Sequence, residues 1–395
     1  MFVKPKHQEL REEVRAFAEA YIRPVVPQLE SDKLIIEDLP RHTARQGWIG
    51  ATIPLEYGGM GMGHLAKTII IEEISRVSGA LGAIVQASQL GVAKVIHFGN
   101  ERQKQQWLPR FASGESLPTI AVTEWESGGH VLAMKSTADR VADGYVLNGH
   151  KCFVGNSHIG DVHGVVLRTG PGSRGLSAFL VERDRAGFAL GTPGHQTGLH
   201  GFSYGEILFN DLWLPVENRL SQEGQGLDVA YSSSVLYGRL NLGAVALGIH
   251  QAVVEDAVAF CSSRHHYGGP LTRISTVAAK LGQMRSNLTT ARLTAYHASC
   301  LLDQGASCDE ELLNAKLVNT EYALNSVRTA IELFAARACQ QEYHLDRYLR
   351  DVLHTFPAAG TSDVQRLRLA EIACGTYRGA WSEQLSELVR ASPAA

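Results

Sequence analysis

The sequence predicts an α+β protein in which a helical zone, a strand-rich zone and a second helical zone follow one another. Three observations point there. Apolar residues recur at helical spacing at both ends, they alternate through the middle, and 395 residues are too many for one compact core. The changes of period divide the chain into domains at 1–116, 117–222 and 223–395.

In the first zone Leu10, Val14, Phe17, Ala18 and Tyr21 mark one face of a helix that Pro24 and Pro27 interrupt. Further helices are expected near 65–77, 80–97 and 101–112, with the Gly-rich run 57–63 as a loop. In the middle zone TIAVTE, YVLNGHKCFVG, HGVVLRTG, LSAFLVER and YGEILFNDLWLP are β-branched or aromatic runs broken by Gly, Asp, Asn and Pro. That punctuation suggests an antiparallel domain of about six to eight strands. In the third zone 228–262, 275–303 and 309–338 are long enough for bundle helices, and shorter ones are expected at 345–352, 362–374 and 382–391.

Composition excludes several classes. With 45% apolar and 19% charged residues the mixture is that of a globular protein. A net charge of −3, from 37 basic and 40 acidic residues, gives no bulk field for nucleic acid or an anionic membrane. The six cysteines form no C-x-x-C pair, which argues against zinc or a dithiol and fits a reducing compartment. No apolar signal region follows the charged start, and no run approaches roughly 18 uninterrupted apolar residues, so a cytoplasmic protein is expected. None of the sixteen histidines falls in H-E-x-x-H spacing, so no metal site is expected. Gly170 to Gly175 match G-x-G-x-x-G, but the run that follows reads as strand, so a turn is the better reading.

Several remaining pieces each have a plain structural reading. Leu55-Glu-Tyr-Gly-Gly59 is a turn, Asn148-Gly149 a hairpin signal, and Arg264 with Gly268 a helix stop. Their order along the chain is more specific. GWIGATIPLEYGGMGMG, AVTE, DGYVLNGHKCFVGN, FNDLWLPVENRL, EGQGL, YGRLNLGAVALGI, SRHHYGGPL, DRYLRDV and AAGTSDVQR together resemble the acyl-CoA dehydrogenase family of flavoenzymes over nearly the whole chain. The resemblance implies a helical N-terminal domain, a middle antiparallel β-barrel and a C-terminal four-helix bundle. It also implies bound FAD, a tetramer or dimer, an acyl-CoA or acyl-carrier-protein substrate and a separate electron acceptor.

Carried over residue by residue, the resemblance makes Val122 and Thr123 contacts to the flavin ring. Gly128 and Gly129 lie in the segment near pyrophosphate and substrate, where Trp125 and Glu126 depart from the pattern. Phe153, Val154 and Gly155 replace the family's W-x-T. Arg264 is implied at a neighbouring subunit's flavin pyrophosphate, followed by Tyr267 where Phe is usual. Glu332, Ala335 and Ala336 stand where the adenosine side expects Gln and paired glycines. Thr361 and Asp363 complete the late segment.

The largest departure concerns chemistry. Removing the weakly acidic α-proton of a thioester calls for a positioned carboxylate. In most of the family that Glu precedes Gly-Thr; here the position is Ala359, whose backbone N–H alone is left to polarise the thioester. In a minority it precedes an Arg on an earlier helix; here Gly238 precedes Arg239. Three readings follow: a dehydrogenase with a relocated base (Glu126, Asp363 or His200), a decarboxylating or oxygen-activating flavoenzyme that needs none, and a non-catalytic binding homologue. So many substrate-side departures point to specialised biosynthesis.

Overall fold

A computed structural model describes residues 3–33, 38–379 and 381–384. The N-terminal part is helical: α1 (Pro5–Phe17), α2 (Val26–Asp32), α3 (Asp38–Ala44), α4 (Gly63–Val77), α5 (Gly79–Phe98) and α6 (Glu101–Ala112). Between α1 and α2 the chain stays coiled through a π turn (Ala18–Ile22) and a 3-10 turn (Arg23–Val25). Pro27 sits in the first turn of α2, where its missing N–H costs nothing, so the two prolines bend this segment without ending it. Asn100 and Gln103 close a capping box on α6, which begins at Glu101 as its spacing predicts.

Eight strands form the middle sheet: β1 (Pro118–Ala121), β2 (Thr137–Arg140), β3 (Gly144–Gly155), β4 (Val162–Arg168), β5 (Leu176–Glu182), β6 (Phe188–Pro193), β7 (Tyr204–Pro215) and β8 (Arg219–Leu220). They run in the order β6-β7-β3-β2-β4-β5-β8, with β1 beside β4. The β1–β4 and β2–β4 pairs are parallel and the others antiparallel, so the sheet is mixed rather than purely antiparallel. Tyr145, Leu147, Phe179, Phe209 and Leu212 fill its own core. Asn148 and Gly149 do not turn a hairpin: they make a bulge inside β3, where Gly149 has φ +143° and Asn148 pairs with Asp211 of β7. Gly170 to Gly175 lie between antiparallel β4 and β5, as a turn.

The C-terminal part opens with α7 (Gly226–Tyr231), a π turn (Ser232–Gly238) and α8 (Arg239–Ser263), where the sequence suggests one uninterrupted helix. A hairpin of β9 (His265–His266) and β10 (Gly269–Pro270) leads to α9 (Ser275–Asp303), α10 (Asp309–Phe334), α11 (Leu345–His354) and α12 (Ser362–Ala373). The helix α10 stops at Phe334, short of the expected 338, because Ala335 turns to φ +53°. Of the helix expected at 382–391, residues 382–384 are helical and the rest lies outside the described residues. Two helical stretches, α5 and 226–263, are long and apolar enough to cross a membrane, yet both bury most of that length inside the fold.

Buried charge stitches the helical parts together. Glu72 and Glu73 of α4 are each 1% exposed; Glu73 meets Arg11 at 2.6 Å and Arg15 at 2.8 Å, and Glu72 meets Arg292 of α9 at 2.7 Å. Asp303 caps α4 by accepting from the N–H groups of His64 and Leu65.

Lys67 is different. Its Nζ is buried, has no hydrogen-bond partner, and lies 4.2 Å from the centre of the Tyr237 ring. Burial, only partly offset by Asp303, pulls its pKa down to about 7. The folded value lies below the unfolded one (about 10.4), so the unfolded chain holds the proton through that window. The group therefore penalises folding below pH 7, and the penalty fades as pH rises. Lys67→Met is expected to raise stability at pH 6 by at least about 1 kcal/mol. It should also make the rise in stability from pH 7 to 9 shallower. Urea unfolding at pH 6, 7 and 9 measures both, and identical pH slopes in the two proteins would count against this assignment.

Candidate active site

One turn of α5 brings the two halves of the site together. Ala87 faces the sheet: a Cβ built on Gly155, at the end of β3, would lie 3.1 Å from the Ala87 methyl and 3.0 Å from Cζ of Phe202. Leu90 lies one turn on and faces the C-terminal helices. A Cβ built on Gly238 would sit 3.8 Å from Leu90 Cδ2 and 3.3 Å from the Ala359 Cβ. The sheet-side residues and the Ala359 loop are thus neighbours across the buried wall of α5.

On the sheet side, Val122 and Thr123 follow β1 directly, and a buried ion pair fixes them. Lys151 Nζ donates to the Val122 carbonyl (3.1 Å) and to Glu124 Oε1 (2.7 Å), while Cys152 N–H donates to the Thr123 carbonyl (2.9 Å). Glu124 also accepts from the N–H groups of Lys135 and Ser136. Burial raises the Glu124 carboxyl, but Lys151 and the Lys135 N–H outweigh it and the net shift is downward. Burial lowers Lys151 to about 8 despite Glu124. With both carbonyls occupied, Thr123 keeps its N–H and hydroxyl to offer a ligand. Such donors fit the acceptor-rich polar edge of a flavin.

Beside this edge stands an open aromatic array. Phe153, at φ +54° and 46% exposed, meets Trp125 edge-on at 4.9 Å and stacks on Tyr204 at 5.7 Å; Tyr204 stacks in turn on Phe202. Val154 points the other way, into the sheet core. Gly128 and Gly129 are exposed, with no protein atom within 4 Å of a Cβ on either.

On the helical side, the loop at 356–361 is clasped from below. Lys316 of α10 is 1% exposed, and its Nζ donates to the carbonyls of Phe356 (3.0 Å), Ala358 and Gly360. Gln365 Nε2 donates to the carbonyls of Ala359 and Gly360, each at 3.0 Å. Ala359 is held at φ +55°, and Thr361 caps α12. Three carbonyls match the three protons of an ammonium. Burial, with Arg239 nearby, pulls Lys316 down to about 7. Arg239 itself is buried beside Tyr377 and Asp309, and its Nε and Nη1 lack partners. The loop therefore has two cations behind it and no carboxylate at either position implied for a base.

The other sequence-derived candidates fall elsewhere. Glu126 is exposed in the turn after β1; Asp363 is exposed and paired with Arg366; His200 contacts Glu30 (3.1 Å) and Arg350. Arg264 ends α8 and leads into the β9–β10 hairpin, whose tip carries Tyr267 at 96% exposure. Glu332 is exposed and paired with Lys280 at 2.6 Å, and Ala335 and Ala336 are exposed just beyond it. Lys316, Ala87 and Leu90 carry no sequence signal for these roles; Glu124, Lys151 and Gln365 stand within AVTE, DGYVLNGHKCFVGN and AAGTSDVQR, but nothing in those motifs shows the contacts they make. A surface cavity of about 1000 Å³ lies apart from all of these, between α1 and α9. Three of its arginines, Arg11, Arg15 and Arg292, are engaged by Glu72 and Glu73.

Lys316→Met should act opposite to Lys67→Met, since it removes three hydrogen bonds and strands the Phe356 and Ala358 carbonyls, Gln365 keeping that of Gly360. A loss of about 3 kcal/mol is expected, taking one charged hydrogen bond at its upper value as a floor for three. Faster amide exchange confined to 356–361 would locate the effect, and unchanged exchange there would refute the clasp.

Models of the acyl-CoA dehydrogenase N-terminal, middle and C-terminal domains match residues 4–115, 119–212 and 224–373. An acyl-CoA dehydrogenase of Bacillus subtilis is 32% identical over 378 residues, covering 95% of this chain and all of that one. Among solved structures, PigA with FAD and proline has a TM-score of 0.89 at 26% identity, covering 95% of this chain and 98% of that one. The prolyl acyl carrier protein oxidase AnaB has a TM-score of 0.88 at 25% identity, covering 94% of this chain and 99% of that one. The order of folded parts, the paired segments across α5 and these matches along nearly the whole length have one reading: the chain belongs to the acyl-CoA dehydrogenase family.

Proposed function

We propose that the chain is an FAD-dependent oxidoreductase that oxidises an acyl group held as a thioester on coenzyme A or a carrier protein. The observation that carries this is the meeting, across one turn of α5, of a donor-bearing strand end with aromatic walls and a clasped loop that offers the Ala359 N–H. Membership of the family supports it, as does the likeness to PigA in its FAD complex and to AnaB, which acts on a prolyl carrier protein. Bound flavin supplies a two-electron acceptor. Thr123 and Val122 hold its polar edge, Phe153 and Trp125 shield the ring, and Gly128 and Gly129 leave room beside it. The Ala359 N–H orients the thioester oxygen, with Lys316 keeping the loop in place.

We further infer a homo-oligomer, dimer or tetramer, in which Arg264 reaches the flavin pyrophosphate of a neighbouring subunit. The exposed β9–β10 hairpin supports this. The 332–336 turn serves the adenosine end, with Ala335 at φ +53° where a glycine would rest more easily. Domain limits at 116 and 222 accord with the borders of the matched domains, 115/119 and 212/224; a barrel form of the middle sheet rests on family membership alone, since the paired strands run in an open order from β6 to β8. The six cysteines, all free thiols, support a cytoplasmic setting. A role in specialised biosynthesis accords with the carrier-protein oxidase likeness. The electron acceptor is a separate redox partner or oxygen. A decarboxylating or oxygen-activating version of this chemistry is favoured by one specific observation: the two positions implied for a base face each other, and neither bears a carboxylate.

The purified protein is expected to be yellow and to release FAD, not FMN. Arg264→Ala should weaken FAD binding by about 1.5–3 kcal/mol, the worth of a shielded charge-assisted pair; unchanged affinity by flavin fluorescence titration would leave Arg264 as a helix cap alone. Ala359→Glu should raise α,β-oxidation of a plain saturated acyl thioester, because Gly360 and Thr361 preserve the surrounding backbone. A positioned base contributes on the order of 10²–10⁴-fold. The readout is anaerobic flavin bleaching, rising with pH as the carboxylate ionises. Fast bleaching by the wild type that this variant slows would reveal a base placed elsewhere, and no bleaching in either with any acyl chain would favour the oxygen-activating or the binding reading.

A further inference from the structure

The cavity of about 1000 Å³ between α1 and α9 is lined by two rows of side chains at helical spacing. Lys4, Gln8, Arg11 and Arg15 stand at i, i+4, i+7 and i+11 along the start of the chain and α1. Arg285, Thr289 and Arg292 stand at i, i+4 and i+7 on α9. At 1.5 Å of rise per residue the α1 row extends about 16 Å. Both rows are cationic, and cations sharing one cavity repel unless counter-charge is supplied.

The fold supplies only part of it. Glu73 takes Nη1 of Arg11 at 2.6 Å and Nε of Arg15 at 2.8 Å, and Glu72 takes Nε of Arg292 at 2.8 Å. Arg292 also donates from Nη2 to Gln251 at 2.7 Å. Nη1 of Arg15 and Nη1 of Arg292 stay unbonded among the described residues, and neither Lys4 nor Arg285 is ion-paired there. Arg76, beside Glu73, brings its own partners in Glu19 and Glu255. Five cations therefore line the cavity over two carboxylates, a surplus of three positive charges. The N-terminus of α1 opens on the same space, and no acidic residue in its first turn offsets the positive end of its dipole. The rest of the wall is apolar: Val3, Pro5 and Leu293, the last 53% exposed.

We propose that this groove binds an organic diphosphate. A terminal phosphate carries about two negative charges at neutral pH and the phosphate before it about one, which matches the surplus. Phosphate oxygens accept the paired N–H groups of a guanidinium, and Arg15, Arg285 and Arg292 each have such groups to give. The apolar wall serves the organic body, either a flat base or a hydrocarbon chain. Covering roughly 60 Å² of apolar surface there is worth about a factor of ten in affinity. The cavity is of the size that small ligands fill, and it lies apart from Thr123 and from the Ala359 loop, so its occupant need not be substrate or flavin.

The test is calorimetry on the FAD-saturated holoenzyme, whose flavin site is already filled, with inorganic phosphate, pyrophosphate, ADP and geranyl diphosphate as probes. Pyrophosphate is expected to bind more tightly than phosphate, and ADP or geranyl diphosphate about tenfold more tightly again. The tighter of these two identifies the organic body as a base or a hydrocarbon. Arg285→Ala should weaken that ligand about tenfold or more, the worth of one charge-assisted hydrogen bond. Thr289→Glu should abolish binding, because a carboxylate there stands one turn from both Arg285 and Arg292 and takes up their charge. Both positions are exposed on α9, so the two variants should keep the melting temperature and flavin content of the parent. Binding that neither variant alters would place the anion in another site and overturn the assignment. Pyrophosphate binding as tightly as both organic diphosphates, or phosphate as tightly as pyrophosphate, would overturn the ligand class. No binding of any probe at millimolar concentration would overturn the site itself.

Discussion

The close packing of α5 on every side is the constraint from which the site follows. A helix that touches the sheet, α4 and the C-terminal helices at once is buried nearly all round, and eight of its twenty residues are Gly, Ala or Ser. Gly91 shows how tight this is: a Cβ there would lie 2.6 Å from the Pro118 carbonyl carbon of β1. The same closeness places Ala87 against Gly155 and Leu90 beside Gly238. Small residues on both partners let the backbones approach, and that approach brings the strand end at Val122 and Thr123 and the Ala359 loop to opposite sides of one helix.

Charge inside this packing behaves in two ways. Lys316 and Lys151 are buried and fully partnered, and each fixes irregular backbone, at 356–360 and at 122–124. Lys67 is buried with the Tyr237 ring beside it and no hydrogen-bond partner, so its amine adds cost and fixes no backbone. The difference lies in the neighbours, since all three sit in comparable depth. A buried cation is an organising element only where enough carbonyl or carboxylate oxygens converge on it.

The alternation of helical and strand periods made the three zones readable, because burial of one face imposes a period on the chain. It also gave most helices to within a few residues, α6 among them. Other features depend on contacts that no local pattern encodes. Asn148-Gly149 looks like a turn, yet the Asp211 side chain and a bulge absorb it within β3. Lys316 lies in a helical stretch where a lysine reads as a solvated face, and only the return of the chain at 356–360 buries it. The paired blanks at 238 and 359 were named from resemblance, but that they face one another is a fact of packing. The π turn likewise has no signature in SSSVLYG that periodicity can detect.

That π turn decides more than the shape of one helix. A π turn accommodates an additional residue within an otherwise α-helical run. From Ser232 to Gly238 the chain is therefore out of phase with the helix on either side, and each residue step is worth about 100° of rotation. Gly238 is helical and directly precedes Arg239, so it takes its heading toward Ala359 from α8, and the phase slip falls on the residues before it. The consequence is one of counting: lose one residue within the π turn and α7 turns by one step relative to α8, with every side chain of α8 unchanged. In this fold the seating of α7 against the sheet is written jointly by its residues and by the length of the turn that follows it.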